Sequence, residues 1–265
     1  MAIALAITGA AGRMGRRLVA LAAEQPDVFQ LVAAIDAPGS PALGQDAGTL
    51  AGIAPNGVKL TDSLSAAPQV IIDFSAPVAT RALIPFCVNK NVAMVIGTTG
   101  LTAADQAIID QAAQKIAILQ ATNTSLGVNV LLSIAAQVAK QLGEAYDIEI
   151  VEAHHNQKKD APSGTALSLA ESICKATGKT IDKDLVHGRA GHDAKRTPGS
   201  IGMHAVRMGD VVGDHTIYYA TQGERVEIRH VATNRDTFAR GALRAAQFLA
   251  GKKPGRYTMR DVLGL

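Results

Sequence analysis

A chain of 265 residues is long enough for one large or two ordinary domains with a proper core, and its 48% hydrophobic content with only 3% aromatic residues and no Trp implies a core of Ala, Val, Ile and Leu, as in parallel α/β sheets. The formal charge of +3 comes from 26 Lys+Arg against 23 Asp+Glu, with neither an arginine-rich arm nor aromatic interleaving, which argues against a nucleic-acid binder. Two cysteines, Cys87 and Cys174, each in an apolar helical run, argue against a disulfide framework, and no apolar run is expected to reach the roughly 18–20 residues of a membrane span.

Residues 2–8 read as a wholly apolar first strand. They lack the basic flank of a signal peptide and lead straight into a glycine turn, so a soluble, cytoplasmic protein is expected. The turn, GAAGRMG, comprises Gly9, Ala10, Ala11, Gly12, Arg13, Met14 and Gly15 and opens a helix that Pro26 stops. A second strand over 28–35 ends at Asp36. Strand, glycine turn, helix, strand and acid, with the acid about 20 residues past the turn, is the order of a dinucleotide-binding unit. Glycines let the backbone turn tightly and approach a pyrophosphate. Arg13 in the first helical turn opposes the helix dipole, and a bound phosphate removes that conflict. Asp36 is placed to take the ribose hydroxyls and to repel a 2′-phosphate. Ala37 follows it and no arginine occurs until Arg81, so NADH is favoured over NADPH.

Residues 38–56, rich in Gly, Pro and Ala, read as a loop. A buried strand over 70–75 is followed by a helix from Pro77 to Asn89, and a strand over 92–96 runs into Gly97, Thr98, Thr99 and Gly100. Thr102 and Asp105 form a capping-box pair for a helix reaching Lys115. The strand over 116–121 runs from Ile116 through Ala121 into Thr122, Asn123 and Thr124. Strands alternating with helices predict an α/β fold with a Rossmann-type doubly wound parallel sheet. The loops after Ile96 and Ala121 then lie at carboxyl ends of strands, where the nicotinamide is expected.

A helix from Ser125 to Leu142 is expected to cross into a second domain, and a strand from Asp147 leads into EAHHNQKKDAPSGTA, residues 152–166. So many polar and ionisable groups in succession need solvent or a polar ligand, because each is costly to desolvate unpaired. Ser163 or Gly164 sits at the N-cap of a helix over 165–177, whose N–H groups and dipole favour a bound carboxylate or phosphate. His154, His155 and Lys158 beside that terminus make a cationic pocket with a proton donor, suited to an anionic small molecule. The adjacent histidines point to opposite faces of a strand, and no helical zinc-ligating spacing occurs, so no metal site is expected.

A long loop then reaches Ser200, and strands over 201–207, 215–221 and 225–231 predict a second, α+β domain with a mostly antiparallel sheet. The closing helix over 237–249 and the tail return to the first domain. The expected division is a dinucleotide-binding domain of residues 1–125 with 238–265, and a substrate-binding and oligomerisation domain of 126–237. A free apolar sheet face of this kind is commonly buried by another copy, so a homo-oligomer is expected.

The EAHHNQKKDAPSGTA stretch, taken with GAAGRMG, the GTTG of 97–100 and the MRDVL of 259–263, closely resembles the 4-hydroxy-tetrahydrodipicolinate reductase (dihydrodipicolinate reductase) family from first strand to tail. The resemblance implies NAD(P)H-dependent reduction of a cyclic imine dicarboxylate in the lysine and diaminopimelate pathway, by a homotetramer. It implies proton donation by His154, with Lys158 as second acid or electrostatic partner, and substrate carboxylates held by His155, Ser163, Gly164 and Thr165. It implies cofactor contacts from Gly9, Ala10, Ala11, Gly12, Arg13, Met14, Asp36, Gly97, Thr98, Thr99, Ala121, Thr122, Asn123 and Thr124. Two departures stand out: Ala37 replaces an arginine carried by many bacterial members, and the loop over 121–124 has Thr where Ala and an aromatic residue often stand. Two rivals are a different Rossmann oxidoreductase acting on an imine, and a non-catalytic NAD-binding sensor. A sensor has no use for a proton donor.

Overall fold

A computed structural model describes residues 1–65 and 67–265. In chain order the elements are β1 (Ile3–Thr8), α1 (Arg13–Ala23), β2 (Phe29–Ile35), α2 (Ala47–Leu50), β3 (Leu60–Thr61), β4 (Val70–Asp73), α3 (Pro77–Lys90), β5 (Ala93–Ile96), α4 (Ala103–Ala113) and β6 (Ala117–Gln120). They continue as α5 (Leu126–Leu142), β7 (Asp147–His154), α6 (Gly164–Thr177), α7 (Ile181–Asp184), β8 (Leu185–His187), β9 (Ile201–Arg207), β10 (Gly213–Thr221) and β11 (Glu224–Ala232). The chain closes with α8 (Asp236–Leu249), β12 (Gly255–Tyr257) and α9 (Met259–Leu263). Two compact units result: residues 1–126 with 236–265, and residues 127–235.

Among the described residues the first unit holds a parallel sheet in the order β12-β6-β5-β4-β1-β2-β3. From β1 the chain moves outward through β2 and β3, then returns to β4 on the other side of β1. The β1/β4 junction is therefore the switch point, where open parallel sheets bind ligands beyond the strands' carboxyl ends. Buried aliphatic side chains fill both faces: Leu5, Ile7 and Ile72 pack with α1 and α8 residues such as Leu18 and Leu243, while Ile71, Met94 and Ile118 pack with Ile84 and Ile109. Fully apolar strands are what two covered faces require. The last segment belongs here because β12 pairs with β6 and α8 lies against the loop after β6. A Cβ on Gly241 would stand 1.7 Å from the Thr124 carbonyl oxygen, so only glycine lets that helix approach.

The second unit carries a sheet in the order β11-β10-β7-β9-β8. It is mixed. β7-β10 and β10-β11 are antiparallel, whereas β7-β9 and β8-β9 are parallel, so the sheet is less antiparallel than the sequence led us to expect. The reason is the crossover through α6, which returns the chain to start β8 in the direction of β7. Its core gathers Ile148, Ile150, Leu169, Ile173, Met203 and Tyr219.

Short elements are the ones missed in sequence: α2, β3, α7, β8, β12 and α9 span two to five residues each. The expectation about membrane-span length needs correction. Residues Leu126–Ala145 make a continuous 20-residue helical stretch of mean hydropathy 1.2, long and apolar enough by length and composition. Its buried stripe of Leu131, Ala135 and Ala139 joins the second core, and the Tyr219 hydroxyl donates to the Ala135 carbonyl at 2.7 Å, the contacts of a core helix.

Candidate active site

The switch point of the first unit is built around glycines and two carboxylates. Gly9 has φ +72, and a Cβ there would meet the Phe74 carbonyl oxygen at 2.2 Å, so both its conformation and its packing demand glycine. Gly15 lets α1 approach the turn, since a Cβ would stand 2.1 Å from the Gly9 carbonyl oxygen. The N-cap of α1 is Gly12 in extended conformation with no side-chain cap, and Arg13 is the first helical residue. Asp36, just past β2, accepts from the Ala11 and Ala37 backbone N–H groups, each at 2.8 Å. The turn and Asp36 line a cleft of about 960 Å³ that also includes Thr8, Ile35, Asp62 and Phe74. These features suit a dinucleotide: a backbone no side chain blocks, a helix N-terminus for phosphate, and a carboxylate at ribose distance along the fingerprint.

Beneath that cleft lies Asp73, the last residue of β4 and fully buried. Its carboxylate accepts from the hydroxyls of Thr8, Ser75, Thr80 and Thr98 at 2.5, 2.5, 2.5 and 3.0 Å. One carboxylate therefore ties together the ends of β1, β4 and β5 and the first turn of α3. Thr98 turns its hydroxyl inward to this group and accepts from the Ser75 N–H, leaving exposed Thr99 as the outward residue of the GTTG loop. Thr124 likewise turns inward, donating to the Phe238 carbonyl at 2.7 Å, while Thr122 is exposed. Ala10 is buried and its N–H donates to the Ile35 carbonyl, so it secures the turn to the sheet. Met14 packs at the edge of the core.

In the second unit ionisable groups gather at the carboxyl end of β7. Glu152 is wholly buried and His154 nearly so at 9% exposure. The Glu152 Oε2 lies 2.6 Å from His154 Nδ1 and accepts from Arg207 Nη1 at 2.8 Å, while Oε1 accepts from Arg207 Nη2 at 2.8 Å and from the Ser163 N–H at 3.0 Å. Burial pushes the Glu152 carboxyl up, but the Arg207 fork, His154 and the Ser163 N–H outweigh it and hold the group below the ordinary carboxylate range. Burial pulls the His154 imidazole below its usual range, opposed by Glu152 and assisted by Lys158 and Arg207.

Ser163 caps α6, its Oγ accepting from the Ala166 N–H at 3.2 Å and lying 3.2 Å from His215 Nε2. His215 is 3% exposed, its ring centroid 5.3 Å from that of His154, and burial together with the His154 charge pulls it down to about 4. Lys158 is paired with exposed Asp160 at 2.8 Å, and the Lys158 N–H closes a turn onto the His155 carbonyl. Gly164 is exposed and His155 and Thr165 half-buried at the same end of the unit. The structure thus gathers His154, Ser163 and Lys158 as expected and adds Glu152, Arg207 and His215. One signal for Glu152 was in the sequence: residues two apart on a strand share a face. Arg207 and His215 carried none, for sheet register alone brings them in: His154 pairs with Arg207 across β9, and Glu152 with His215 across β10.

A doubly wound sheet with a glycine turn and an acid just past its second strand, in a chain that also holds a buried imidazole beside a helix N-terminus, defines a nicotinamide-dependent oxidoreductase. Comparison with known proteins narrows the class. Residues 3–124 match the family described as dihydrodipicolinate reductase, N-terminus, and residues 127–263 match dihydrodipicolinate reductase, C-terminus, so the chain belongs to the dihydrodipicolinate reductase family. It is 50% identical to the 4-hydroxy-tetrahydrodipicolinate reductase of Alkalilimnicola ehrlichii and 49% identical to that of Thiobacillus denitrificans, covering 100% of both chains in each case. A dipicolinate-bound dihydrodipicolinate reductase from Paenisporosarcina sp. TG-14 is similar with a TM-score of 0.76 and 25% identity, over 97% of this chain and 98% of that one.

Proposed function

We propose that this chain reduces 4-hydroxy-tetrahydrodipicolinate to tetrahydrodipicolinate with NAD(P)H, in lysine and diaminopimelate biosynthesis, and that NADH is the preferred donor. The observation that carries the chemistry is His154, buried, held by Glu152 and set beside the N-terminus of α6. The reaction adds one hydride and one proton to the ring and releases water. The bound dinucleotide supplies the hydride; this chain's residues bind, orient and protonate.

The first turn of α6, with Gly164 and Thr165, presents backbone N–H groups and the positive end of a helix dipole to a substrate carboxylate, and His155 adds a further polar contact. A ring bearing two carboxylates matches that surface, and the solved relative carries dipicolinate, a dicarboxylate of this kind. His154 delivers the proton to the carbon next to the one that takes hydride. An imidazole suits this role because its affinity for a proton lies near working pH. Lys158, already paired with Asp160, acts through its charge on the reacting ring.

The dinucleotide is held by the turn of Gly9, Ala11 and Gly12, by Asp36 on the ribose, and by the loops that begin at Gly97 and Ala121. The preference for NADH rests on the cleft itself. Its lining includes the carboxylates of Asp36 and Asp62 and, among the described residues, no Lys or Arg, so a 2′-phosphate has no local counter-charge. A homo-oligomer, tetrameric by family resemblance, and a cytoplasmic location complete the reading; Cys87 and Cys174, buried and unpaired, suit a reducing compartment.

Steady-state turnover of enzymatically generated 4-hydroxy-tetrahydrodipicolinate with NADH and NADPH side by side tests the proposal. A higher kcat/KM with NADH supports both parts. Equal or better use of NADPH keeps the reductase and overturns the cofactor argument. Absence of turnover with either overturns the reductase and restores a non-catalytic binder.

A further inference from the structure

The buried ion network around Glu152 does more than neutralise a charge. Each oxygen of this carboxylate takes one arm of the Arg207 fork plus one further donor: Oε1 takes the Ser163 N–H, and Oε2 faces His154 Nδ1. Arg207 Nη2 also donates to the Asp160 carbonyl at 2.8 Å, so the same guanidinium anchors the loop that carries Lys158. An ionised carboxylate is an acceptor only. The nitrogen 2.6 Å from it must therefore be the protonated one, and the remaining proton site of the imidazole is Nε2.

Nε2 lies beside Gly213, the first residue of β10, where an added Cβ would stand only 3.1 Å away. A side chain at that position would crowd the nitrogen, and glycine leaves it room.

Resting on the reading of His154 as proton donor, we propose that Glu152 is a positioning residue for this reaction: it fixes His154 in the Nδ1–H tautomer so that Nε2 carries the transferred proton. Through the Ser163 N–H it also locks that imidazole to the N-cap of the helix that holds the substrate carboxylate. Proton donor and carboxylate site are thereby held in one register by a single side chain.

The charged and titratable groups around the His154 ring are Glu152 on its own strand, Lys158 in the following loop, Arg207 on β9 and His215 on β10. Burial, Lys158 and Arg207 favour the neutral imidazole, and Glu152 opposes them. A proton donor must be charged before it acts, so kcat falls as pH rises through the value at which His154 loses its proton. Removing the Glu152 charge moves that alkaline limb to lower pH.

Two measurements test this. In the wild-type protein, ¹⁵N-resolved NMR of the imidazoles above the titration of His154 reads the tautomer directly and requires no substrate. A proton on Nδ1 with a bare Nε2 is expected, and the reverse overturns the proposal whether or not the reductase assignment holds. In Glu152→Gln, kcat at neutral pH is expected to fall by about 10- to 100-fold, a fraction of what general acid catalysis contributes. The alkaline limb should move to lower pH, NADH affinity should stay within about twofold, and Glu152→Asp should recover part of the rate. Loss of rate by the same factor at every pH, with the limb unmoved and no recovery in Glu152→Asp, makes Glu152 merely structural and overturns the proposal. Failure of the readings beneath it is recognised separately: absence of wild-type turnover overturns the reductase, and normal turnover in His154→Gln overturns the proton donor.

Discussion

The two units each bury one carboxylate completely near the carboxyl end of a strand, Asp73 in the first and Glu152 in the second, and satisfy them in opposite ways. Asp73 is met by four hydroxyls, none of which titrates near neutral pH. Glu152 is met by a guanidinium fork, an imidazole and a backbone N–H. Both solutions avoid the cost of a buried unpaired charge, yet they lead to different behaviour. Hydroxyl donors make a tie that contains no proton-transfer partner, which suits loops that shape a cofactor cleft. A carboxylate bonded to a histidine couples its surroundings to proton transfer. The contrast separates a hydroxyl-held tie from the network on which the proposed proton transfer depends.

The largest effect should come from removing the proposed proton donor. His154→Gln is expected to lower kcat by about 10²- to 10⁴-fold, the span general acid–base groups contribute, and Lys158→Ala to lower it in the same direction. NADH affinity, read by fluorescence titration, should change little in either variant. Near-normal turnover in both would remove the basis for calling the second unit the reacting one.

Asp73→Asn probes the other side. An amide cannot accept from every hydroxyl that now converges on the carboxylate, and each buried donor left unsatisfied costs about 1–3 kcal/mol. The expected outcome is a lower denaturation midpoint and weaker NADH binding, with the pH dependence of kcat unmoved. A displaced pH limb in this variant would break the comparison, since it would show that both carboxylates report on proton transfer.

The smallest effect belongs to Asp105. It closes the capping box with Thr102 at the start of α4 and pairs with Arg81 at 2.7 Å. Arg81 and Thr102 hold its carboxyl down to about 2 from the ordinary 3.8. Because the folded value is the lower one, this stabilisation is complete above about pH 4 and is lost as pH falls toward 2. Acid titration of thermal stability should show a shallower decline in Asp105→Asn than in the wild type between those values, and identical slopes would remove Asp105 from the account.

Much of the first unit was legible because its determinants are local. Glycines at 9, 12 and 15, apolar strands at regular intervals and an acid after the second strand each follow from short-range chemistry. The capping box of Thr102 and Asp105 was visible for the same reason. Less legible was the direction of Thr98 and Thr124. A hydroxyl in a loop reads as available to a ligand, and only the buried Asp73 and the nearby Phe238 carbonyl show where each is used. Asp73 fell inside the buried strand expected over 70–75 and drew no separate reading, whereas β4 ends at it. The mixed second sheet escaped notice because β8, three residues long, has no pattern of its own and is defined by its pairing with β9.

By itself the sequence determined the order of the longer elements, the dinucleotide-binding half, and the stretch from Glu152 to Ala166 with its histidines, lysines and helix cap, since these depend on periodicity, glycine and proline chemistry and residues close in the chain. Only the tertiary structure decided which distant groups join them. Arg207 and His215 lie 55 and 63 positions after Glu152, at about 3.3 Å of reach per extended residue far beyond local contact, and they meet it because strand pairing selects one register from many. A slip of one residue would turn either side chain to the opposite face, so the Glu152 carboxylate owes its partners to the sheet.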